Sequence, residues 1–524
     1  MTAARARLPL PLALIAAAGL LSACTASRPA RTPPAPPAFT LFRPEPGPEL
    51  SLGDARSGIE ALLAGSGLAR DSFALSVRTL AGAGSALAFN EDQPMTPASN
   101  AKLATTAAAL AILGPAYRFR TEVSLSSGAL HIKGYGDPTL GVLHLKDMVR
   151  MILADPRAAG FRGPLVLDDS FFQSYEQIHP GFNRADAFNT GLGPLGVEED
   201  RVVLTLSHEG SAADGTQKLA VRVTPDPEGF TVIRSTGELG FETHYKPQFQ
   251  VEWDGEARRH AIALIGPLEP GRQVLAIRNA TEHFGRVFAR VAEAEGLAVT
   301  EVVRGEVPRG ARRLFSYRSR PLYEILRDMN QESDNYVAEM VLLTVGAAEP
   351  RSGRAGPPSL EDGTAAASRF LVEKVGFAAG SFTLENGSGL SRLSRFSPAQ
   401  LARLLAFMAR DPKLGPVLET TLPIAGWSGT LRRRLLDPPA LLRIAAKTGM
   451  IDYVNCVSGY GAGAGGGKFA FSLLLGDRQG LELTRDLRPI DREAEAEWRK
   501  TTAVNDRFKR LADQVLDILS RTRF

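Results

Sequence analysis

Pro97-Ala98-Ser99-Asn100-Ala101-Lys102-Leu103 opens an Ala-rich run with helical periodicity that continues to Leu113 and stops at Gly114-Pro115. Glycine loosens the backbone and proline lacks the donor that another turn needs, so the reading is a helix over about residues 99–113. Residues three apart on a helix share a face, which places Lys102 beside Ser99. Ser99 falls in the first turn, where backbone N–H groups are unpaired and the positive end of the macrodipole favours a developing alkoxide. A lysine crowded by other cations and partly desolvated releases its proton more readily than a free amine, which suits Lys102 to act as a base toward Ser99. The plain alternative is a capping serine with a solvated lysine, and taken alone this stretch leaves both open.

Two later stretches decide between them. Lys102 is the only lysine with a serine three residues before it, Asn335 the only asparagine in a Ser-x-Asn pattern (Ser333-Asp334-Asn335), and Lys447-Thr448-Gly449 the only Lys-Thr-Gly. Each motif alone is weak, but their joint occurrence in this order is specific. Ser333 and Asn335 lie between two helical patterns, on a connecting loop where a hydroxyl can relay a proton and an amide can bind a carbonyl. Lys447-Thr448-Gly449 follows the apolar run 441–446 and reads as strand. Period two turns Lys447 and Gly449 to one face, with Gly449 expected to leave room for a substrate backbone. A cation beside a hydroxyl is the pairing that a terminal carboxylate requires.

Around these motifs the chain alternates in character. A helix near Ile59, Leu62 and Leu63 precedes a strand at 73–80 with a hairpin partner at 85–90. Residues 118–312 hold short Val/Ile/Leu/Thr runs, such as 163–168, 201–207 and 219–223, bounded by Gly, Pro or Asp. Helical periodicity returns from Pro321. Two strands, 453–460 and 469–475, flank the Gly-rich hairpin 461–467, and an amphipathic helix over about 494–519 follows. The expected fold is α/β of the α+β kind: an antiparallel sheet flanked by helices, formed by 50–117 and 313–524 and interrupted by a large β-rich insertion over 118–312.

At 524 residues, two or three domains are expected, and 44% hydrophobic with 23% charged residues excludes a disordered chain. Arg5 and Arg7 precede an apolar Ala/Leu-rich run over 8–21, a secretory signal too short to span a membrane as a helix. Leu21-Ser22-Ala23-Cys24 resembles the bacterial lipobox, so 1–24 reads as a lipoprotein-type signal segment with Cys24 acylated. The alternative is a Cys24 discarded at cleavage. Residues 25–49 form a proline-rich linker. The net charge of +4 has no Lys/Arg run behind it, and nucleic acid is excluded as a partner. No Cys/His cluster has metal-ligand spacing, and no metal or organic cofactor is expected.

The three motifs resemble those of the serine penicillin-recognising enzymes. The wider context is similar to the D-Ala-D-Ala carboxypeptidases of the penicillin-binding-protein 4 type, peptidase family S13. The likeness extends over Gly134-Tyr135-Gly136-Asp137-Pro138-Thr139-Leu140, Ala338-Glu339, Gly387-Ser388-Gly389-Leu390-Ser391-Arg392, Leu422-Pro423-Ile424-Ala425-Gly426 and Gly429-Thr430-Leu431. The long gap between the first two motifs also fits the family's inserted domain. The resemblance implies Ser99 as acylated nucleophile, Lys102 as general base and Ser333 as proton shuttle. It further implies Asn335, Lys447, Thr448 and Gly449 as substrate-binding, with the backbone N–H groups of Ser99 and Met450 as oxyanion hole. Peptidoglycan stem peptides and β-lactams are the implied partners, in a bacterial envelope; the periplasmic anchor at Cys24 is read from the lipobox-like tetrapeptide and departs from the family's soluble members. D-alanyl-D-alanine carboxypeptidase is the leading function, with DD-endopeptidase action alongside it. A β-lactamase or esterase of the same fold, and a non-catalytic envelope-anchored peptidoglycan-binding protein, are the alternatives; oligomeric state is undetermined. The chain departs from the family at Asn386, where Asp usually precedes Gly-Ser-Gly, at Met450, where a hydroxyl often follows Lys-Thr-Gly, and over residues 188–200.

Overall fold

The computed structural model describes residues 48–524 apart from 83, 183–184, 212–216, 227–228, 236–247, 266–267, 351–354 and 477–491. The expected signal segment with Cys24, and the linker up to residue 47, lie outside the described residues. Helix α1 (Leu52–Ser66) starts at a capping box, in which Ser51 Oγ accepts from Asp54 N–H at 3.1 Å and the Asp54 carboxylate accepts from Ser51 N–H at 3.1 Å. Strands β1 (Phe73–Thr79) and β2 (Ser85–Phe89) follow as an antiparallel pair. The helix expected from residue 99 begins instead as a 3-10 turn, Ala98–Ala101, and becomes α-helical only as α2 (Lys102–Ile112).

Among the described residues the interruption builds three sheets and two α-helices. β3 (Arg120–Ser126) and β4 (Ala129–Gly134) form a hairpin, and β4 runs parallel to β5 (Arg162–Asp168). Parallel strands need a crossover, which α3 (Val142–Ala154) supplies. β6 (Arg201–Ser211), β7 (Gln217–Thr224), β8 (Phe230–Ser235), β9 (Gln248–Asp254), β10 (Arg259–Ile265) and β11 (Gly271–Ala276) make two three-stranded sheets, β11-β6-β7 and β8-β10-β9. Helix α4 (Ala280–Glu295) leads into β12 (Ala298–Arg304), parallel to β5, and β13 (Arg312–Arg318) returns beside β3. The segment is β-rich, as expected, and it also holds two helices, α3 and α4, which pack Leu145, Met148, Phe284 and Phe288 into its core. It runs to Arg318, past the expected end at residue 312, because β13 is hydrogen-bonded into its sheet.

After it come α5 (Leu322–Glu332), α6 (Asn335–Ala348), α7 (Leu360–Phe370), α8 (Pro398–Arg410) and α9 (Leu414–Thr421). Strands β14 (Ile444–Ile451), β15 (Val454–Ala462) and β16 (Lys468–Gly476) and helix α10 (Arg492–Arg521) complete the chain. The main sheet, ordered β14-β15-β16-β1-β2, is antiparallel throughout and joins strands from both ends of the chain. Both faces are buried. Phe73, Leu75, Val77, Phe469, Phe471 and Leu473 pack on α1 and α10, while Ala74, Ala445, Cys456 and Ala470 face the other helices. Those smaller residues let α8 and the start of α2 approach closely, and α2 is buried as far as Leu110, with Leu103, Ala104, Ala107 and Ala108 at 0% exposure. The start of α2 is thereby pressed against the free edge strand β14.

Candidate active site

Every motif residue found in the sequence lands where α2, the α5–α6 junction and β14 meet. Successive residues of a 3-10 turn eclipse at i and i+3, and Lys102 Nζ lies 3.1 Å from Ser99 Oγ. The turn is pinned from below by Asn100, whose Nδ2 donates to Ser458 Oγ at 2.7 Å, and Ser458 in turn donates to Ser472 at 2.8 Å. Two glycines make the close packing possible. A Cβ on Gly389, which has φ +75°, would stand 1.9 Å from Ala98 O. A Cβ on Gly449 would stand 2.9 Å from both Pro97 O and Ser99 N. The space beside Gly449 therefore belongs to the turn carrying Ser99, and the expectation that it opens to a substrate backbone is corrected.

Lys102 is fully buried and also reaches Asn335 Oδ1 at 2.7 Å and Ser388 O at 2.8 Å. Burial drives its ammonium down to about 7, with Asp334 and Glu339 pulling in the opposite direction. The cause is desolvation, and the expected contribution of neighbouring cations is not among the causes. At that value a substantial fraction of Lys102 is the free amine, able to accept the Ser99 proton. Glu339, one helical turn beyond Asn335, is buried and accepts from Gly387 N–H and Ser388 N–H, each at 2.8 Å. It fixes the carbonyl of Ser388 on which Lys102 rests. Burial raises its carboxyl above the usual range, against those same hydrogen bonds. The sequence reading assigned no role to Glu339, although its four-residue offset from Asn335 put both on one helix face.

The opposite wall is made by Ser333 and β14. Ser333 caps α5 in the left-handed region, at φ +61°, a conformation that costs a non-glycine residue about 1–3 kcal/mol and is held here by the packed junction. Its Oγ accepts from Lys447 Nζ at 2.8 Å, and Lys447 also donates to Thr448 O at 2.7 Å. Burial, then the charge of Lys102, pushes the Lys447 ammonium well below its ordinary range. Thr448 Oγ1 donates to Thr430 Oγ1 at 2.7 Å, joining the Gly429-Thr430-Leu431 stretch to the site. Ala446 N–H leaves the sheet to reach Pro423 O at 2.8 Å. Period two then sends the Thr448 and Met450 N–H groups to the same outer edge of β14, beyond the stretch that pairs with residues 423–425, and Met450 is 64% exposed.

Asn335 begins α6 and donates through Nδ2 to Phe188 O at 3.2 Å, so the interrupting segment reaches the site itself. Asn386 accepts from Gly389 N–H at 3.1 Å and Ser391 N–H at 3.4 Å, bracing the loop under Lys102. The remaining cysteine, Cys456, is buried, with its thiol pushed up to about 12, and is chemically quiet. Two hydroxyls, Ser99 and Ser333, and two buried amines, Lys102 and Lys447, are thus together in one cleft, a grouping that acyl transfer can use.

The sequence profile of the D-Ala-D-Ala carboxypeptidase 3 (S13) family matches residues 55–496. A D-alanyl-D-alanine carboxypeptidase of Actinomadura sp. (strain R39) is 29% identical over 420 residues, which cover 74% of this chain and 74% of that protein. D-alanyl-D-alanine carboxypeptidase DacB of Haemophilus influenzae is 25% identical over 407 residues, covering 73% and 81%. The crystal structure of penicillin binding protein 4 (dacB) from Haemophilus influenzae superposes with a TM-score of 0.64 at 21% identity, over 88% of this chain and 100% of that one, a likeness of fold.

Proposed function

The chain belongs to the D-Ala-D-Ala carboxypeptidase 3 (S13) family of serine peptidases, and on that premise we propose how its cleft performs the reaction. Ser99 Oγ attacks the carbonyl carbon between the two terminal D-alanines of a peptidoglycan stem peptide while Lys102 takes its proton. The Ser99 and Met450 N–H groups hold the oxyanion, Lys447 and Thr448 hold the terminal carboxylate, and the Asn335 amide binds a substrate carbonyl. Ser333 passes a proton to the leaving amine, D-alanine departs, and water hydrolyses the acyl-enzyme. A cross-linked peptide offers another amine as leaving group, so DD-endopeptidase action needs no new residue. A β-lactam enters as a strained amide and stays on Ser99. The observation that carries this reading is Lys102 Nζ bridging Ser99 Oγ and Asn335 Oδ1 from a fully buried position.

Mass spectrometry of the protein after treatment with a penicillin tests it. The expected result is one adduct on Ser99, absent in Ser99→Ala, and free D-alanine released from a muropeptide ending in D-Ala-D-Ala. An unmodified wild-type chain sinks the reading. The tetrapeptide ending at Cys24 supports a periplasmic protein held to a membrane by acylation. Cys24→Ser should then appear in the soluble fraction, and unchanged membrane partition rules the anchor out.

A further inference from the structure

Ser333 and Asn335, on opposite sides of Asp334, must both be placed to well under an ångström. Asp334 looks at first like an ordinary helix cap, since its Oδ1 accepts from Val337 N–H at 2.9 Å. Its other oxygen is taken by Arg201, the first residue of β6, at 3.0 Å and 133 residues away in sequence. The same guanidinium donates through Nε to Ala187 O at 2.7 Å and pairs with Glu199. Ala187 immediately precedes Phe188, whose carbonyl receives the Asn335 amide. One planar fork thus grips the residue between the two site residues and the peptide next to their acceptor, a task that needs several rigid donors. Arg201 and Asp334 have side-chain exposures of 19% and 16%, so solvent screens this pair less than an ordinary surface bridge.

The backbone leading into Arg201 is unusual as well. Glu198, Glu199 and Asp200 are three consecutive non-glycine residues in the left-handed region, at φ +53°, +56° and +51°. The turn sends each side chain a different way. Glu198 accepts from Val142 N–H at 2.8 Å, Glu199 meets Arg201, and Asp200 turns inward, fully buried, to accept from Val197 N–H at 3.3 Å. Strain of this kind persists only where the surroundings over-determine it, and here they end on the catalytic loop.

From this arrangement we infer that Arg201, on the interrupting segment, is a positioning residue for the acylation step, holding Ser333 and Asn335 through Asp334 and Ala187. The inference rests on the proposed reading of the cleft. It also has an electrostatic side. The charged groups facing Lys102 are Asp334 from the α5–α6 junction, Glu339 from α6 and Lys447 from β14, with Glu199 and Arg201 behind Asp334. Arg201 offsets the Asp334 charge, which otherwise holds the proton on Lys102.

The test is the rate of Ser99 acylation by a penicillin against pH, in the full chain, for Arg201→Ala, Asp334→Asn and the double variant. Asn can keep the cap on Val337, so Asp334→Asn removes the charge and spares the helix start. Each single change should slow acylation by on the order of 100-fold, and the double variant should be no slower than the slower single. The rising pH limb should move alkaline in Arg201→Ala, where no cation offsets Asp334 and Glu199, and acid in Asp334→Asn. If Arg201→Ala does not fold, Arg201→Lys keeps the charge without the fork and should still be slow. Wild-type rates in the Arg201 variant, additive losses, or slow variants with an unmoved limb overturn the inference. A wild-type chain that is not acylated fails the reading of the cleft instead.

Discussion

The two walls of the cleft each end in a fully buried lysine, and the two lysines keep different company. Lys102 rests on three oxygens, and the carboxylates of Asp334 and Glu339 offset part of what burial takes from its charge. Lys447 has a hydroxyl and a carbonyl, and the charge felt most strongly there is that of another cation. A buried amine balanced near neutrality gives and takes a proton readily. A buried amine without a carboxylate binds a substrate carboxylate strongly, because its ammonium form is restored when the anion arrives. On the proposed reading, this difference lets the same side chain serve as base on one wall and as anion site on the other.

Breaking the Lys102 side should have the largest effect. On the proposed reading Lys102→Ala removes the proton acceptor, and acylation of Ser99 by a penicillin should fall roughly 10²- to 10⁴-fold, read by adduct formation against time. In the wild type only the free amine accepts a proton, so the acylation rate should rise with pH through a limb near 7 and then level off. A limb displaced to 9 or above would mean that burial is not what sets this lysine, and the contrast between the two walls would collapse.

The Lys447 side should show a smaller and more selective effect. Lys447→Ala loses a hydrogen bond to a charged group, about 1.5–3 kcal/mol. That is roughly a 10- to 150-fold drop in kcat/KM for a peptide with a free terminal carboxylate. The measurement that sharpens the comparison is the ratio of this value to that for the same peptide with its terminus amidated. The ratio should shrink toward one in the variant. An undiminished ratio would move the carboxylate site away from β14.

How much of this was legible in the sequence depended on distance along the chain. Ser99 and Lys102 declared themselves because helical spacing is local, and Lys447 because strand alternation is local too. Gly449 was placed on the right strand but given the wrong neighbour, since the turn carrying Ser99 that fills its space lies about 350 residues earlier. Glu339 stood in plain view four residues after Asn335, yet its partners Gly387 and Ser388 are joined to it only by the packing of α6. The helices α3 and α4 were lost among strand signals because their necessity arises from parallel pairing, which period two does not reveal. Arg201 read as the start of a strand, which it is, and its reach to Asp334 is purely tertiary.

The loop that braces Lys102 supplies the smallest prediction. Asn386 Oδ1 accepts from the backbone N–H groups of Gly389 and Ser391, while its buried Nδ2 donates to no described atom. An aspartate there would exchange that unsatisfied donor for a second acceptor and strengthen the bonds already made. The opposing term is the cost of burying a charge, reduced where backbone donors already point at the oxygen. The balance should favour Asn386→Asp by about 1 kcal/mol in thermal unfolding, with the limb near pH 7 moved slightly alkaline if the new charge acts on Lys102. Glu339 already offsets the burial of Lys102 from the other side of this loop, so a second carboxylate should add little. A large alkaline displacement would show that carboxylate charge, more than burial, governs Lys102, and would widen the contrast with Lys447, whose strongest neighbouring charge is a cation.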